Sequence, residues 1–359
     1  MNDTILKSFT TTCTITVVEV MKKIDLNEQG ILFVINDSFQ LIGCITDGDV
    51  RRWLIKTGTL DATVDQYMNC HPKFLFENDR TKAMDYMKKN LIKAVPVVDL
   101  NKQIIDIVFA DDAYVENIPV KDSLKNTSVI IMAGGRGTRL YPYTKILPKP
   151  LIPIKDIPIL ERIINQFCQY GISQYYLTVN YKKGMIKSYF SDLNPDYHIH
   201  YIEEDKPLGT AGSIKLITDK FDSPVIITNC DTLINADYEK LINHHVISGN
   251  ALTIVSALKN MVIPYGIIHS QKHGFITYME EKPQMNYFVN TGLYVLNPEL
   301  IKKIPDNTVF HMTHLADMLI KEKYQVGMYP VSEESFLDMG EFEEMKRMEQ
   351  KLNLSEDIR

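Results

Sequence analysis

The chain has 359 residues, a formal net charge of -6, 45% apolar and 23% charged residues, enough for two or three domains with buried cores. The mild acidity argues against a general nucleic-acid binder, which presents a basic face, whereas a nucleotide site needs only a few local cations. No apolar run reaches the length that spans a bilayer.

The N-terminal stretch MNDTILKSFTTTCTITVVEV is broken by threonines and a glutamate and lacks a small-residue cleavage site, so no signal peptide is expected. Cys13, Cys44, Cys70, Cys168 and Cys230 are scattered and form no CxxC pair. They read as reduced thiols of a cytoplasmic protein, without a zinc site or disulfide framework.

Two segments then align without gaps at an offset of 63: GILFVINDSFQLIGCITDGDVRR from Gly30 and KAVPVVDLNKQIIDIVFADDAYV from Lys93. Each reads as strand, polar turn, strand and helix start, with a helical stretch upstream (VVEVMKKI, KAMDYMKKN). A duplicated unit of this size predicts two copies packed on each other. The repeat resembles a tandem pair of CBS domains, an α+β module, with copies at 1–61 and 62–120. The resemblance implies that Thr46 and Asp49 of GCITDGDVRR hold the ribose of an adenine or guanine nucleotide, as a hydroxyl and a carboxylate can. The second copy has Phe109 in place of Thr46 and Asp106 in place of Gly43, although Asp112 matches Asp49. One competent cleft is expected at most, the alternative being a dimerisation module without ligand. CBS pairs tend to associate, so a homodimer is expected.

A polar linker at 121–127 leads into alternating strands and helices over 128–359. Strands are predicted at Val129–Met132, Tyr175–Val179, His198–Ile202, Val225–Asn229, Leu252–Ala257, Gly266–His269 and Gly292–Leu296. Helices are predicted near Ile159–Tyr170, Lys183–Phe190, Gly212–Ile217, Tyr238–Ser248, Thr313–Glu322 and Phe342–Leu352. The alternation predicts an α/β, Rossmann-like, mainly parallel sheet, with ligands at the carboxyl ends of its strands.

The first strand runs into MAGGRGTRLYPYTKILPKPLIPI. Gly134, Gly135 and Gly137 let backbone N–H groups approach phosphates, Arg139 adds a fork-shaped cation, and Lys149 is held between two prolines. The run lacks the G-K-[ST] ending of a P-loop. It resembles the sugar nucleotidyltransferase family, over essentially all of 128–345. The resemblance gives Gly134, Gly135, Gly137, Thr138, Arg139 and Lys149 to the triphosphate, with Arg139 and Lys149 stabilising phosphate charge.

EEDKPLGTAGS would be the family's nucleobase loop, with Gly209 and Thr210 against the base. Glu204 can accept two N–H donors from the edge of guanine, which favours GTP. In VIITNCD, Asp231 ends an apolar strand; alone it would read as an ordinary turn. The family's D-x-G pattern makes Asp338 its partner, and two carboxylates with water and phosphate oxygens suit Mg²⁺. The resemblance also gives Gly266, Glu281, Lys282, Asn290 and Thr291 to the sugar phosphate. His244 and His245 adjoin on a helix and cannot face one site; His311 and His314 lack a third ligand, so structural roles are expected for both pairs.

These features imply an in-line displacement joining a nucleoside triphosphate to a sugar 1-phosphate. A tandem CBS pair before a short transferase, with one helix after Gly340 and no hexapeptide repeats, resembles the glucosamine-1-phosphate guanylyltransferases of bacterial legionaminic acid pathways. Mannose 1-phosphate is the nearest rival substrate. From another class, the rival is a nucleotide-sensing protein with an inactive transferase domain. No nucleic-acid or membrane partner is expected.

Overall fold

A computed structural model describes residues 3–27, 29–90, 92–110 and 122–340, with part of 342–350. The chain divides into two compact units, Met1–Pro119 and Val120–Ile358. Asp112, the rest of 111–120, the first residue of the expected linker (121) and residues 343, 347, 351 and 352 of the expected helix Phe342–Leu352 lie outside the described residues.

The first unit holds two small sheets, β1 (Thr10–Thr11), β2 (Ile31–Ile35) and β3 (Leu41–Thr46), then β4 (Leu75–Phe76), β5 (Ala94–Val98) and β6 (Ile104–Phe109). In each, the first strand runs parallel to the second and the second antiparallel to the third. The sequence offset recurs in the register: Ile31 faces Thr46 and Ala94 faces Phe109, while the irregular step falls at Val34/Ile35 and at Val97/Val98. The turns repeat as well, with Phe39 at φ 61° and Lys102 at φ 62°. Asn36 and Asp99 each accept backbone N–H groups of the following turn.

The two hairpins grip each other reciprocally. Gln40 Nε2 donates to Asn101 O at 2.9 Å, and Gln103 Nε2 donates to Ser38 O at 2.8 Å. Phe9, Phe33 and Leu41 share one buried cluster with Ala94, Val98 and Ile107. Helix Val17–Asn27 buries Val17, Val20, Met21 and Ile24, the i, i+3, i+4, i+7 stripe of an amphipathic helix.

The second unit has β7 (Ser128–Met132), β8 (Pro153–Ile154), β9 (Ile157–Pro158), β10 (Gln174–Val179), β11 (His198–Glu203), β12 (Val225–Asn229) and β13 (Thr232–Ile234). It continues with β14 (Leu252–Val262), β15 (Ile267–Ser270), β16 (Ile276–Glu280), β17 (Gln284–Leu296), β18 (Val326–Val331) and β19 (Phe336–Asp338). Seven strands form one sheet in the order β11-β10-β7-β12-β17-β14-β18. Only β17 runs against its neighbours; the other pairings are parallel. Helices pack on both faces, and alternate residues of β7 serve each: Val129 and Ile131 join one core, Ile130 and Met132 the other. Helix Ile159–Cys168 buries Ile159, Leu160, Ile163, Ile164 and Phe167, again one helical stripe.

The sequence did not mark β18. β18 lies at the edge of the sheet, a place where a proline such as Pro330 is tolerated. The helix expected over Gly212–Ile217 is one α-turn, Gly209–Gly212, followed by a 3-10 turn, Ser213–Leu216.

Candidate active site

The strand order places the site. β7 comes first in this unit, β10 and β11 extend the sheet to one side, and β12 lies on the other. The carboxyl ends of β7 and β12 therefore flank the switch point, where crossovers diverge and leave a crevice. The glycine loop leaves one of these ends and Asp231 follows the other.

On the β10–β11 side, Gly134, Asn180 and Glu204 meet. Asn180 Nδ2 donates to the Glu204 carbonyl at 2.6 Å, and the Glu204 N–H donates to Val179 O at 3.0 Å. A Cβ on Gly134 would overlap Glu204 Oε1, so a larger residue there would have to displace that carboxylate. Glu204 is 6% exposed, and its Oε2 accepts the Leu208 N–H at 3.0 Å. Burial raises its pKa, partly opposed by that bond. Glu204 thus braces the loop that the sequence gives to the base, with one oxygen already holding a donor.

That loop is strapped to the segment before helix Met312–Lys321. Phe310 N–H donates to Leu208 O at 2.8 Å, and the Ala211 and Gly212 N–H groups both donate to Phe310 O at 2.9 Å. Met312 N–H donates to Thr210 Oγ1 at 3.0 Å. Gly209 sits at φ 78°, and a Cβ there would lie 2.7 Å from Phe310 O, so the turn demands glycine twice over. His311 accepts the Thr210 N–H on Nδ1 at 3.5 Å, and His314 Nδ1 accepts the His311 N–H at 3.3 Å. Both histidines have structural bonds, and no group of three metal-ligating side chains occurs among the described residues.

The cations come together on the β7–β12 side. Gly137, at φ 63°, lets the loop fold against Lys149: a Cβ would come within 3.1 Å of Lys149 Cβ. Thr138 and Arg139 lie exposed on the short turn Thr138–Leu140, and Gly135 borders open space. The segment between Arg139 and Lys149 is clamped by Tyr181 Oη, which donates to Thr144 O at 3.1 Å. Lys182 Nζ donates to Lys145 O and Ile146 O, both at 2.7 Å. Sequence reading missed Asn180, Tyr181 and Lys182. Their position just past the carboxyl end of a parallel strand, the criterion that singled out Asp231, could have found them.

Lys149 is 8% exposed and pairs with Asp231 Oδ2. The antiparallel pair β13–β19 sets Thr232 opposite Asp338, and Met339 N–H donates to Asp231 O at 2.8 Å. This brings two carboxylates 107 positions apart in the chain to the same end of one antiparallel strand pair. A Cβ on Gly340 would come within 3.0 Å of Asp338 Oδ2 and 3.3 Å of Arg139 Nη1. The Asp338 pKa is raised, first by burial and then by Asp231, with Lys149 and Arg139 opposing. Arg139, Lys149, Asp231 and Asp338 therefore lie close together past the carboxyl ends of β7 and β12.

The sugar-side residues divide. Gly266 backs Glu281, whose Oε2 would lie 3.0 Å from a Cβ there, and Lys282 Nζ stands 4.0 Å from Glu281 Oε1 in an exposed turn. Asn290 is exposed, donating to Tyr294 Oη at 2.8 Å. Thr291 is 2% exposed, and its hydroxyl donates to Val255 O at 2.8 Å. The register of β14 against β17 shifts opposite this point, between Ile254 and Ser256. Gly292, at φ 81°, leaves room for the Asn229 amide, which a Cβ would overlap.

In the first unit, Thr46 and Asp49 bond each other. Thr46 caps helix Asp47–Thr57, its hydroxyl donating to Asp49 Oδ2 at 2.6 Å while the Thr46 N–H donates to the same oxygen at 2.9 Å. T-x-x-D is thus also a capping box. No helix among the described residues is long and apolar enough to cross a membrane.

The family model described as Nucleotidyl transferase matches residues 128–354. Mannose-1-phosphate guanyltransferase of Debaryomyces hansenii is 33% identical over 184 residues, 49% of this chain and 51% of that protein. UTP–glucose-1-phosphate uridylyltransferase of Synechocystis is 30% identical over 202 residues, 51% of this chain and 52% of that protein. The chain spans about half the length of these curated relatives. Among solved structures, HddC from Yersinia pseudotuberculosis is similar with a TM-score of 0.50 and 27% identity, covering 63% of this chain and 99% of that one. The strand order, the glycine loop and the matched span agree: the chain belongs to the nucleotidyl transferase family.

Proposed function

We propose that the chain joins a nucleoside triphosphate, GTP, to a hexose 1-phosphate, releasing pyrophosphate. The observation that carries this reading is the convergence of Arg139, Lys149, Asp231 and Asp338 beside the switch point. Both reactants are polyanions, so the barrier is first electrostatic. Arg139, on an exposed turn, and Lys149, 8% exposed, neutralise phosphate charge where it accumulates, and the shielded Lys149 charge counts for more than it would in water.

A sugar phosphate oxygen attacks the α-phosphorus. The bond from that phosphorus to the bridging oxygen of the β-phosphate breaks, and pyrophosphate leaves with the electron pair. A phosphate monoester is largely ionised at neutral pH, so no general base is needed. Gly134, Gly135, Gly137 and Thr138 hold the triphosphate through the loop backbone, and alignment of the two reactants supplies much of the rate.

Asp231 and Asp338 suit magnesium, which takes one or two carboxylates and fills its shell with water and phosphate oxygens. Bound there, Mg²⁺ would supply further charge neutralisation. Guanine is favoured by the guanyltransferase relatives; Glu204, with one oxygen engaged by the Leu208 N–H, supports the base loop and keeps only one acceptor for a base. For the sugar we put glucosamine 1-phosphate first. A second reading, mannose 1-phosphate, is favoured by the printed activity of the Debaryomyces relative. Gly266, Glu281, Lys282 and Asn290 are the residues assigned to it.

The test is pyrophosphate release by the full chain with GTP, UTP, dTTP and ATP, each against glucosamine, mannose and glucose 1-phosphates. Release with GTP and one hexosamine or hexose phosphate is expected. Silence across the whole panel would leave only the nucleotide-sensing reading.

A further inference from the structure

Both oxygens of the Asp231 carboxylate have partners inside the protein. Oδ2 holds the Lys149 ammonium, and Oδ1 accepts the Thr232 hydroxyl at 3.3 Å. The pair is well shielded, with side-chain exposures of 10% for Lys149 and 15% for Asp231. Lys149 opens the turn Lys149–Leu151 between Pro148 and Pro150, and its aliphatic stem lies against Gly137. Asp338 adds a second carboxylate to the cluster and Arg139 a second cation. The four charges sum to zero.

A divalent ion on Asp231 and Asp338 would therefore arrive at a site that is already neutral, and would need an oxygen that Lys149 now holds. We propose that Lys149 is the built-in counter-ion of Asp231 and exchanges places: it leaves the carboxylate for the triphosphate as the metal takes the carboxylate. The lysine thus has two successive partners in one cleft. The exchange couples metal entry to triphosphate entry, because the anion offers Lys149 a new partner at the moment the ion removes the old one. Without triphosphate, the same lysine weakens metal binding. This inference rests on the proposed metal and phosphate roles of the site.

The test is Mn²⁺ binding, followed through the electron paramagnetic resonance signal of the free ion, with the full chain and no nucleotide. Lys149→Gln and Lys149→Met are both compared with wild type, after circular dichroism has shown which of them is folded. The neutral variants are expected to bind Mn²⁺ about tenfold more tightly than wild type, a coupling of the usual size between two ligands. Lys149→Arg, which keeps the charge, is expected to bind it as weakly as wild type. Unchanged or weaker Mn²⁺ binding in the neutral variants overturns the exchange. Asp231→Asn is expected to weaken binding in every background; wild-type affinity there overturns it too, by removing the ion from Asp231. Pyrophosphate release by the wild-type chain is measured separately, so that an enzyme active without the exchange is told apart from an inactive chain.

Discussion

Lys149 is nearly buried, and what it touches explains why its loss should harm chemistry more than folding. It contributes one ammonium to a carboxylate that also has the Thr232 hydroxyl, while the packed cores lie elsewhere. Lys149→Ala is expected to lower kcat by about 10²–10³, the usual cost of removing one preorganised donor at developing charge, with the far-ultraviolet dichroism unchanged. Wild-type turnover would remove Lys149 from the chemistry. Gly134 makes a separate prediction. Its missing Cβ is the space occupied by Glu204 Oε1, so Gly134→Ala must push the carboxylate out of its brace on Leu208. The KM for the triphosphate should rise roughly tenfold, with a smaller effect on the KM for sugar phosphate, because the change falls on the base side of the crevice. Equal effects on both would contradict that placement. The glycines and Arg139 were legible in the sequence because they are local: three glycines after an apolar strand constrain one loop. The Lys149–Asp231 pair was not, since 82 positions separate its members and only the fold brings them into contact. Nor was the burial of Glu204, which depends on Asn180 and Leu208 closing around it.

Strands and helices were more readable than their directions. The apolar runs of β7, β10 and β12 announced a buried sheet, but nothing in the β17 sequence says that it runs antiparallel; that follows from where β14 and β12 lie on either side of it. The helix Tyr238–Ile247 is held to this region by a buried polar network. His245, 1% exposed, contacts Thr253 Oγ1 through Nδ1 at 2.9 Å and Asn297 Oδ1 through Nε2 at 3.0 Å. Asn250 Nδ2 donates to the same Thr253 oxygen at 2.9 Å. Burial is the main cause that pushes the His245 pKa below the ordinary imidazole value; Asn297 opposes it, His244 reinforces it and Glu299 opposes it. An imidazole held neutral in the fold binds fewer protons than the same group in the unfolded chain. Above pH of about 6.5 both states are neutral and the network contributes in full. As pH falls through that value, the unfolded chain takes up a proton that the native chain refuses, and stability is lost until the lower native pKa is passed. The urea midpoint should therefore fall between pH 7.5 and pH 5.5 (about one unit either side of an ordinary imidazole), and His245→Gln should flatten that slope while lowering stability at pH 7.5. Parallel slopes for the two proteins would mean that another group carries the dependence.

Each unit of the molecule closes its own cores, which sets how the chain should melt. In Met1–Pro119 one buried cluster takes residues from both halves of the repeat, with Phe33 and Leu41 packed against Ala94, Val98 and Ile107. The repeat is therefore one cooperative body, although its sequence reads as two. In Val120–Ile358 the two large clusters line opposite faces of the seven-stranded sheet and meet through β7, so they too should unfold together. Calorimetry of the full chain should accordingly resolve two transitions. Phe33, 1% exposed, tests the first: Phe33→Ala removes a buried ring at a cost of about 3–5 kcal/mol, which should lower one transition by on the order of 15 °C in a unit of this size. Hydrogen exchange should quicken in both hairpins, including the one that carries no substitution. Ile131→Ala, at a fully buried position of β7, should lower the other transition by roughly 10 °C and leave the first in place. A single transition displaced by both substitutions would show that the cores are energetically one. Quickened exchange confined to the Ile31–Ile35 hairpin after Phe33→Ala would show that the two copies of the repeat, despite their shared register and reciprocal glutamines, fold apart.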